Sequence, residues 1–171
     1  MPVLIMMNKR YNDDEALETV VRYVLRTGCG YYGGYGVDMN YPVQQMQQVK
    51  VLWGKDHGRR VRHFILSFKK LETIGYEQLM RLGFEICKYY SDYQSVYGLH
   101  TDTDHLHLHF AVNTVSYKDG KMYAGGLSDW YRLQGYIQGL LPQWYVDLRV
   151  SSGGEGQANY SGDEKRYNLY S

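Results

Sequence analysis

The chain contains few cysteines, few prolines and no long apolar run. Its 171 residues include two cysteines, Cys29 and Cys87, and three prolines. The cysteines do not form a CxxC pair, so neither a disulfide framework nor a structural zinc knuckle is expected. No apolar run approaches the roughly 18 residues that span a bilayer, and the opening residues lack the leading positive charge of a signal peptide. These absences predict a cytoplasmic protein without membrane insertion.

Charge is nearly balanced over the whole chain but not within it. The net charge is +1, whereas positions 50–70 hold seven basic residues and one acidic residue, Asp56. The basic residues are Lys50, Lys55, Arg59, Arg60, Arg62, Lys69 and Lys70. Such a cluster can neutralise several phosphates of a nucleic acid, although a basic stretch is more often a solvated face. The first five of these residues are therefore candidate DNA contacts.

Apolar spacing predicts a mixture of strands and helices. Strand patterns fall at 2–7, 60–70, 95–100, 105–117 and 144–150, and helical patterns fall at 12–26, 39–54, 76–90 and 127–141. Asn12 or Asp13 is expected to cap the first helix, and Asn40 the second. Segment 27–36 is predicted to be an irregular loop, because five of its ten residues are glycine.

These elements indicate one domain of the α+β class. The strands do not alternate regularly with helices, and Asp119-Gly120 is a good hairpin turn. An antiparallel sheet with helices packed over it fits this order. Residues 151–171 are polar and glycine-rich and are expected to form a flexible tail.

Histidines are concentrated in one strand pattern. Four of the six lie at positions 100–109, within the segment LHTDTDHLHLHFAVN at 99–113. Alternate side chains of a strand share a face, so His105, His107 and His109 project together while the apolar residues between them face the core. His100 could fold back as a further ligand of the same ion. Two carboxylates, Asp102 and Asp104, could orient a ligating imidazole through its second nitrogen.

This pattern predicts a metal site with phosphodiester chemistry. Three imidazoles without cysteine fit zinc, manganese, nickel or cobalt, with magnesium an alternative if an oxygen ligand joins. A lone histidine on a strand is usually a surface or core residue without a functional role. Three histidines on one face with a fourth nearby instead indicate a metal site. A bound ion can act on a phosphodiester as a Lewis acid. Tyr23, off the apolar stripe of its helix, is the candidate nucleophile that would form a phosphotyrosyl intermediate.

The motifs resemble those of a known family. HTDTDHLHLHFAVN resembles the third motif of conjugative relaxases, the HUH-type mobilization nucleases, in the branch of plasmid mobilization and T-DNA border nucleases. WGKDHGRRVRHFILSF is similar to the family segment GK..GR...HF..SF that precedes the central strand. ALETVVRYVLR resembles the first motif, whose tyrosine is the nucleophile. The resemblance covers about residues 1–140.

The resemblance implies a set of site residues. Tyr23 would be the nucleophile, and Asp102 the acid that orients or activates. The metal ligands would be His100, His107 and His109, with His105, Asp104 and Asn113 in supporting positions outside the ligand set. Three tyrosines of the glycine-rich segment, Tyr31, Tyr32 and Tyr35, could compete with Tyr23 as nucleophile.

The resemblance also implies a fold and an activity. The fold would be a central antiparallel sheet of about five strands with helices over one face, in a relaxase domain at 1–150. The activity would be metal-dependent nicking of single-stranded or melted DNA at an origin of transfer, through a covalent 5′-phosphotyrosyl intermediate. Manganese or magnesium would be the cofactor, with zinc, nickel or cobalt as alternatives. Accessory DNA-binding proteins and a coupling protein would be partners in the bacterial cytoplasm.

Three other functions compete with this interpretation. A rolling-circle replication initiator uses the same chemistry, but a tyrosine that precedes the histidines favours the relaxase. A DNA-binding accessory module could keep the fold without cleavage, and the intact histidines count against it. A metal-binding protein unrelated to DNA would not need the basic residues at 50–70.

Overall fold

The computed structural model describes residues 1–70, 72–101, 103–123 and 125–151. The strands are β1 Val3–Met7, β2 Tyr32–Tyr35, β3 Val61–Lys69, β4 Ser95–His100, β5 His105–Asn113 and β6 Asp147–Ser151. The helices are α1 Ala16–Leu25, α2 Pro42–Leu52, α3 Tyr76–Cys87 and α4 Leu127–Leu140. None of these described helices combines the length and the apolar content that crossing a membrane requires. The predicted tail lies almost wholly at 152–171, outside the described residues.

The six strands form one mixed sheet in the order β2-β4-β5-β3-β1-β6. Every neighbouring pair is antiparallel except β1 and β6, which run parallel. The histidine-rich strand β5 pairs with β3 on one side and β4 on the other. The predicted α+β class is confirmed, with six strands instead of about five.

The additional strand lies where an irregular loop was predicted. β2 pairs with β4 from Tyr32 to Tyr35, at the edge of the sheet. A Cβ atom on Gly33 would overlap the ring of Tyr97, and one on Gly34 would overlap the side chain of Met39. The loop prediction was wrong because these two glycines permit close packing of a strand, which is a recognised use of strand glycine.

Helices cover both faces of the sheet. On one face, α1 and α2 pack Val21 and Met46 against Val96 and Ala111. On the other face, α3 and α4 cover the apolar side chains that include Phe64. The resemblance implied helices over one face only, but eight successive residues of β3 are buried. A strand that is buried on both faces needs a packed layer on each side.

The helix starts differ from the predicted caps. α1 begins at Ala16, and Asp13 acts one turn earlier by accepting a hydrogen bond from the backbone N–H of Glu15 at 3.1 Å. α2 has Tyr41 at its N-cap position instead of Asn40, whose backbone N–H donates to Asp38 Oδ1 at 2.9 Å. The side chains of Asp13 and Asp38 therefore stabilise turns that precede the helices, and no side-chain hydrogen bond caps α2.

Candidate active site

Strand register brings three of the predicted histidines onto one face of the sheet. His100 on β4 lies opposite His107 on β5, and His109 lies opposite Gly98. All three histidines are buried, with exposed fractions of 8% for His100, 5% for His107 and 1% for His109. The period of two in β5 and the antiparallel β4–β5 pairing together produce this arrangement.

The rings of these histidines are close to one another. The ring centroids of His100 and His109 are 4.2 Å apart, and those of His107 and His109 are 5.9 Å apart. The Nε2 atom of His100 lies 3.1 Å from the carbonyl oxygen of Val24, at the C-terminal end of α1. A helix end therefore contacts the histidines directly.

A fourth histidine, His63, belongs to the same group. It lies on β3, and its ring stacks on that of His109 at a centroid distance of 5.6 Å and an interplanar angle of 28°. His63 Nε2 lies 3.3 Å from His109 Nδ1, and His63 Nδ1 lies 3.1 Å from the hydroxyl of Tyr11. His63, His100, His107 and His109 form what we call the histidine cluster.

His63 was not among the predicted site residues. Two signals in the sequence pointed to it: its place in the HF..SF segment, and its position on the face of β3 opposite the apolar one. Its contact with His109 on β5 depends on the register between β3 and β5, which could not be predicted from the sequence.

Helix α1 places Tyr23 against the histidine cluster. The Tyr23 ring centroid lies 5.2 Å from those of His100 and His109, and 6.1 Å from that of His63. Tyr23 is 38% exposed, so its side chain is accessible from solvent. The absent side chain of Gly98 permits this approach, because a Cβ there would overlap the carbonyl oxygen of Val24.

Burial controls the protonation of the inner histidines. It lowers the pKa of His63 to about 4, with a smaller contribution from the charge of His100. Burial also holds the pKa of His109 well below its ordinary value, and the neighbouring histidines add to this effect. Both imidazoles are therefore neutral at pH 7, the form in which an imidazole nitrogen can bind a metal ion.

The imidazoles of the histidine cluster are suitable metal ligands by type, although three of them make hydrogen bonds to protein groups in this structure. Within 1–70, 72–101, 103–123 and 125–151, no three histidine, cysteine or acidic side chains are arranged to hold an ion together. The ring nitrogens of His63, His100 and His109 instead make the hydrogen bonds given above. Neutral, buried imidazoles on adjacent strands fit a divalent transition metal by ligand type.

The predicted supporting residues lie at different distances from the cluster. His105 is exposed, with its ring 6.0 Å from that of His107 and its Nδ1 3.3 Å from Ser67 Oγ. Asp104 is exposed and lies 3.9 Å from the ammonium of Lys70. Asn113 is buried beside α2, where its amide donates to Met46 O at 3.1 Å. Asp102 lies outside the described residues.

The basic residues of 50–62 do not form one exposed surface. Lys50 has no exposed surface, and its ammonium donates to Thr114 Oγ1 at 2.9 Å. The Lys50 prediction is therefore wrong, because a fully buried ammonium cannot reach a DNA phosphate. Arg62 is also buried, and its guanidinium donates to the carbonyl of Gly125. Arg60 pairs with Asp14 and Asp56, with only 12% of its side chain exposed.

Two basic candidates remain partly accessible. Lys55 is half-buried and donates to the carbonyl of Gly120. Arg59 is half-buried and donates to the carbonyl of Lys9 at 2.8 Å.

The competing tyrosines are separated from the cluster by the sheet or by α1. Tyr31 packs on Tyr76 and Tyr35 on Phe84, both on the face covered by α3. Tyr32 lies opposite Gly98 on the histidine face and is 53% exposed. The carbonyl of Val24 lies over Gly98, so the end of α1 stands between Tyr32 and His109.

An α+β fold with a histidine cluster on its central strands and a tyrosine against it has the arrangement of an HUH-type nuclease domain. The chain belongs to the MobA/VirD2-like relaxase family, because the model of that family's nuclease domain matches residues 11–142. This membership supports a relaxase role, and confirms the resemblance in the sequence motifs.

Curated relatives share part of the chain. Two proteins named Rlx from Staphylococcus aureus are 34% and 35% identical to it over 91 residues. These alignments cover 53% of this chain but 28% and 29% of the relatives. A MobA protein from Acidithiobacillus ferrooxidans is 38% identical over 63 residues, which cover 32% of this chain and 14% of the relative. No solved structure matches.

Proposed function

We propose that the chain nicks one strand of DNA at an origin of transfer, for conjugative transfer or mobilization of a plasmid or integrative element. One observation carries the proposal: a half-exposed tyrosine, Tyr23, lies with its ring 5.2 Å from two buried imidazoles. Membership of a relaxase nuclease family supports it. The proposed domain spans 1–150, with 151–171 as a tail.

The proposed reaction is a transesterification at phosphorus. The phenol oxygen of Tyr23 bonds to phosphorus and loses its proton, while the bond from phosphorus to the 3′ oxygen breaks. That oxygen takes up a proton and leaves as a free 3′ hydroxyl, and the 5′ phosphate stays on the tyrosine. One phosphate ester replaces another, so the bond energy is kept for later resealing. Asp102 is the proposed residue that orients or activates the reacting groups.

His100, His107 and His109 are the proposed ligands of a divalent ion, with manganese or magnesium as first candidates. A bound ion would draw charge from a non-bridging phosphate oxygen. The neutral state of His109 and its burial beside His100 support this assignment. Zinc, nickel and cobalt suit the same imidazole ligands.

The proposed substrate is single-stranded or locally melted DNA. Lys55 and Arg59 are the candidates that we retain for phosphate contacts, because both are partly accessible. Accessory DNA-binding proteins and a coupling protein in the bacterial cytoplasm are proposed partners, as expected for a relaxase that acts on an element's own DNA.

A nicking assay on oligonucleotides tests the proposal. Single-stranded DNA from the element's transfer origin is incubated with the protein and either manganese or EDTA, and covalent adducts are separated on a denaturing protein gel. We expect an adduct with manganese, none with EDTA and none with Tyr23→Phe. Tyr32→Phe is the matched control, because it removes a phenol from the same face and should leave the adduct unchanged.

Two results would contradict the proposal. An adduct that persists in Tyr23→Phe would exclude Tyr23 as the nucleophile. Absence of any adduct from the wild-type protein, with manganese bound and DNA bound, would favour a non-cleaving DNA-binding module.

A further inference from the structure

A chain of buried hydrogen-bonding groups leads away from the histidine cluster. Tyr11 is 7% exposed, His63 is 7% exposed and His109 is 1% exposed. The Tyr11 hydroxyl lies 3.1 Å from His63 Nδ1, and His63 Nε2 lies 3.3 Å from His109 Nδ1. Each group in this Tyr11–His63–His109 chain therefore has its neighbour at hydrogen-bonding distance.

The backbone at Tyr11 is held in an unusual conformation. Its φ of 47° is the one positive value at a non-glycine residue in the described part of the chain. Left-handed backbone is costly for a residue with a ring at Cβ, and it persists where surrounding contacts determine it. The carbonyl of Tyr11 accepts a hydrogen bond from the backbone N–H of Arg60 at 2.8 Å, one residue before β3. This bond connects Tyr11 to the strand that carries His63.

We propose that Tyr11 and His63 are positioning residues that orient His109 toward a divalent ion. The inference rests on the proposed metal role of His109. Neither Tyr11 nor His63 would contact the ion in this assignment.

The direction of the hydrogen bonds follows from the single N–H of a neutral imidazole. If His109 Nδ1–H donates to His63 Nε2, then His63 carries its own proton on Nδ1 and donates to the oxygen of Tyr11. In this direction His109 Nε2 keeps its lone pair for an ion. In the opposite direction His109 would carry its proton on Nε2 and could not bind an ion there. Metal binding therefore selects one of the two directions.

Metal affinity of Tyr11→Phe is the primary test. Calorimetric titration with manganese or zinc alone, without DNA, measures the dissociation constant. Loss of a group that orients a metal-ligating histidine typically weakens binding by about 10–100-fold, and we expect a loss in this range. Tyr117→Phe is the matched control, because its hydroxyl donates to Ser91 O at 2.8 Å in another part of the chain. It should bind both ions as the wild type does.

Two substitutions at His63 provide a second measurement. His63→Gln keeps an oxygen that can accept from His109 Nδ1–H, whereas His63→Leu removes the acceptor. We expect weaker metal binding by His63→Leu and partial recovery in His63→Gln. Circular dichroism melting without metal identifies a His63 variant that has failed to fold. In that case the metal affinity of Tyr11→Phe alone tests the positioning role.

Imidazole nitrogen NMR of the zinc-loaded protein tests the direction directly. We expect the protons of His63 and His109 on Nδ1. A proton on His63 Nε2, or wild-type metal affinity in Tyr11→Phe, would overturn the positioning role while leaving the proposed function intact. Absence of metal binding by the wild-type protein would instead contradict the metal role in the proposed function, and this inference with it.

Discussion

Lys50 is a charged residue with no exposed surface, on the helix that packs beside β5. Burial lowers the pKa of its ammonium to about 8, and the nearby Asp56 opposes this shift. An ordinary lysine has a pKa of about 10.4. The buried amine therefore gives up its proton more readily in the folded chain than in the unfolded chain.

This difference predicts how stability depends on pH. Above about pH 10.5 the amine is neutral in both states. As the pH falls toward 8, the unfolded chain takes up a proton that the folded chain does not, so the free energy of unfolding decreases by roughly 3 kcal/mol. Lys50→Met lacks this titration. We expect the wild type to lose about this much stability relative to Lys50→Met as the pH falls from 10.5 to 8.

Urea unfolding at several pH values measures the difference between the two proteins. Other titrating groups are common to both and cancel. The control is Lys121→Met, which replaces an exposed lysine by the same residue and leaves the buried ammonium of Lys50 in place. A difference between wild type and Lys50→Met that stays constant from pH 8 to pH 10.5 would contradict the buried-ammonium account.

At the scale of elements, the position of α1 depends on one glycine of β4. The carbonyl of Val24 sits where a Cβ of residue 98 would be, and the same carbonyl lies 3.1 Å from His100 Nε2. Tyr23 precedes Val24 and contacts the cluster from this helix end. The distance between Tyr23, the proposed nucleophile, and the histidines is thus set by the absence of a side chain at Gly98.

Gly98→Ala should therefore reduce the proposed cleavage. The added methyl would displace the C-terminal end of α1, and a misplacement of about 1 Å can cost a reaction about 100-fold in rate. We expect a fall of this order in the rate of adduct formation. Overpacking should also cost about 1–3 kcal/mol in the free energy of unfolding. Initial rates at saturating DNA, with a denaturation curve of each protein, measure both.

Gly135→Ala is the control for this substitution. It lies within α4, where a Cβ would meet nothing within 4 Å, so it adds the same methyl without displacement. Replacing a mid-helix glycine by alanine should stabilise the chain by about 0.5–1 kcal/mol and leave the rate unchanged. A Gly98→Ala protein that forms adducts at the wild-type rate would show that α1 tolerates the shift.

At the scale of the whole molecule, the alternation of side chains within one strand could be predicted from the sequence, whereas the pairing of strands distant in the sequence could not. The period of two in β5 is local, so the sequence alone was enough to predict that His107 and His109 share one face. His63 was missed because its contact with His109 depends on the β3–β5 register, across 46 residues of sequence. Pairing between strands so far apart in the sequence is determined by the packing of the whole sheet and not by any one segment.

Burial of charge and use of glycine were likewise decided by packing. The charge pattern suggested a DNA contact at Lys50, although helical spacing also aligned it with Met46, and both are buried. The glycines of 27–36 suggested an irregular loop, whereas Gly33 and Gly34 allow β2 to pack closely at the sheet edge. The burial of Lys50 and the close packing of β2 are both determined by residues that are distant in the sequence.

The central claim is that Tyr23 becomes covalently attached to DNA, and peptide mapping of the adduct tests it most directly. Trypsin cleaves after Arg22 and Arg26, so Tyr23 falls in the four-residue peptide 23–26, whereas Tyr31, Tyr32 and Tyr35 fall together in peptide 27–50. After nuclease trimming of the DNA, mass spectrometry identifies the peptide that carries the residual nucleotide. We predict the modification on peptide 23–26. A nucleotide on peptide 27–50 would contradict the assignment of the nucleophile and the role of α1 that follows from it.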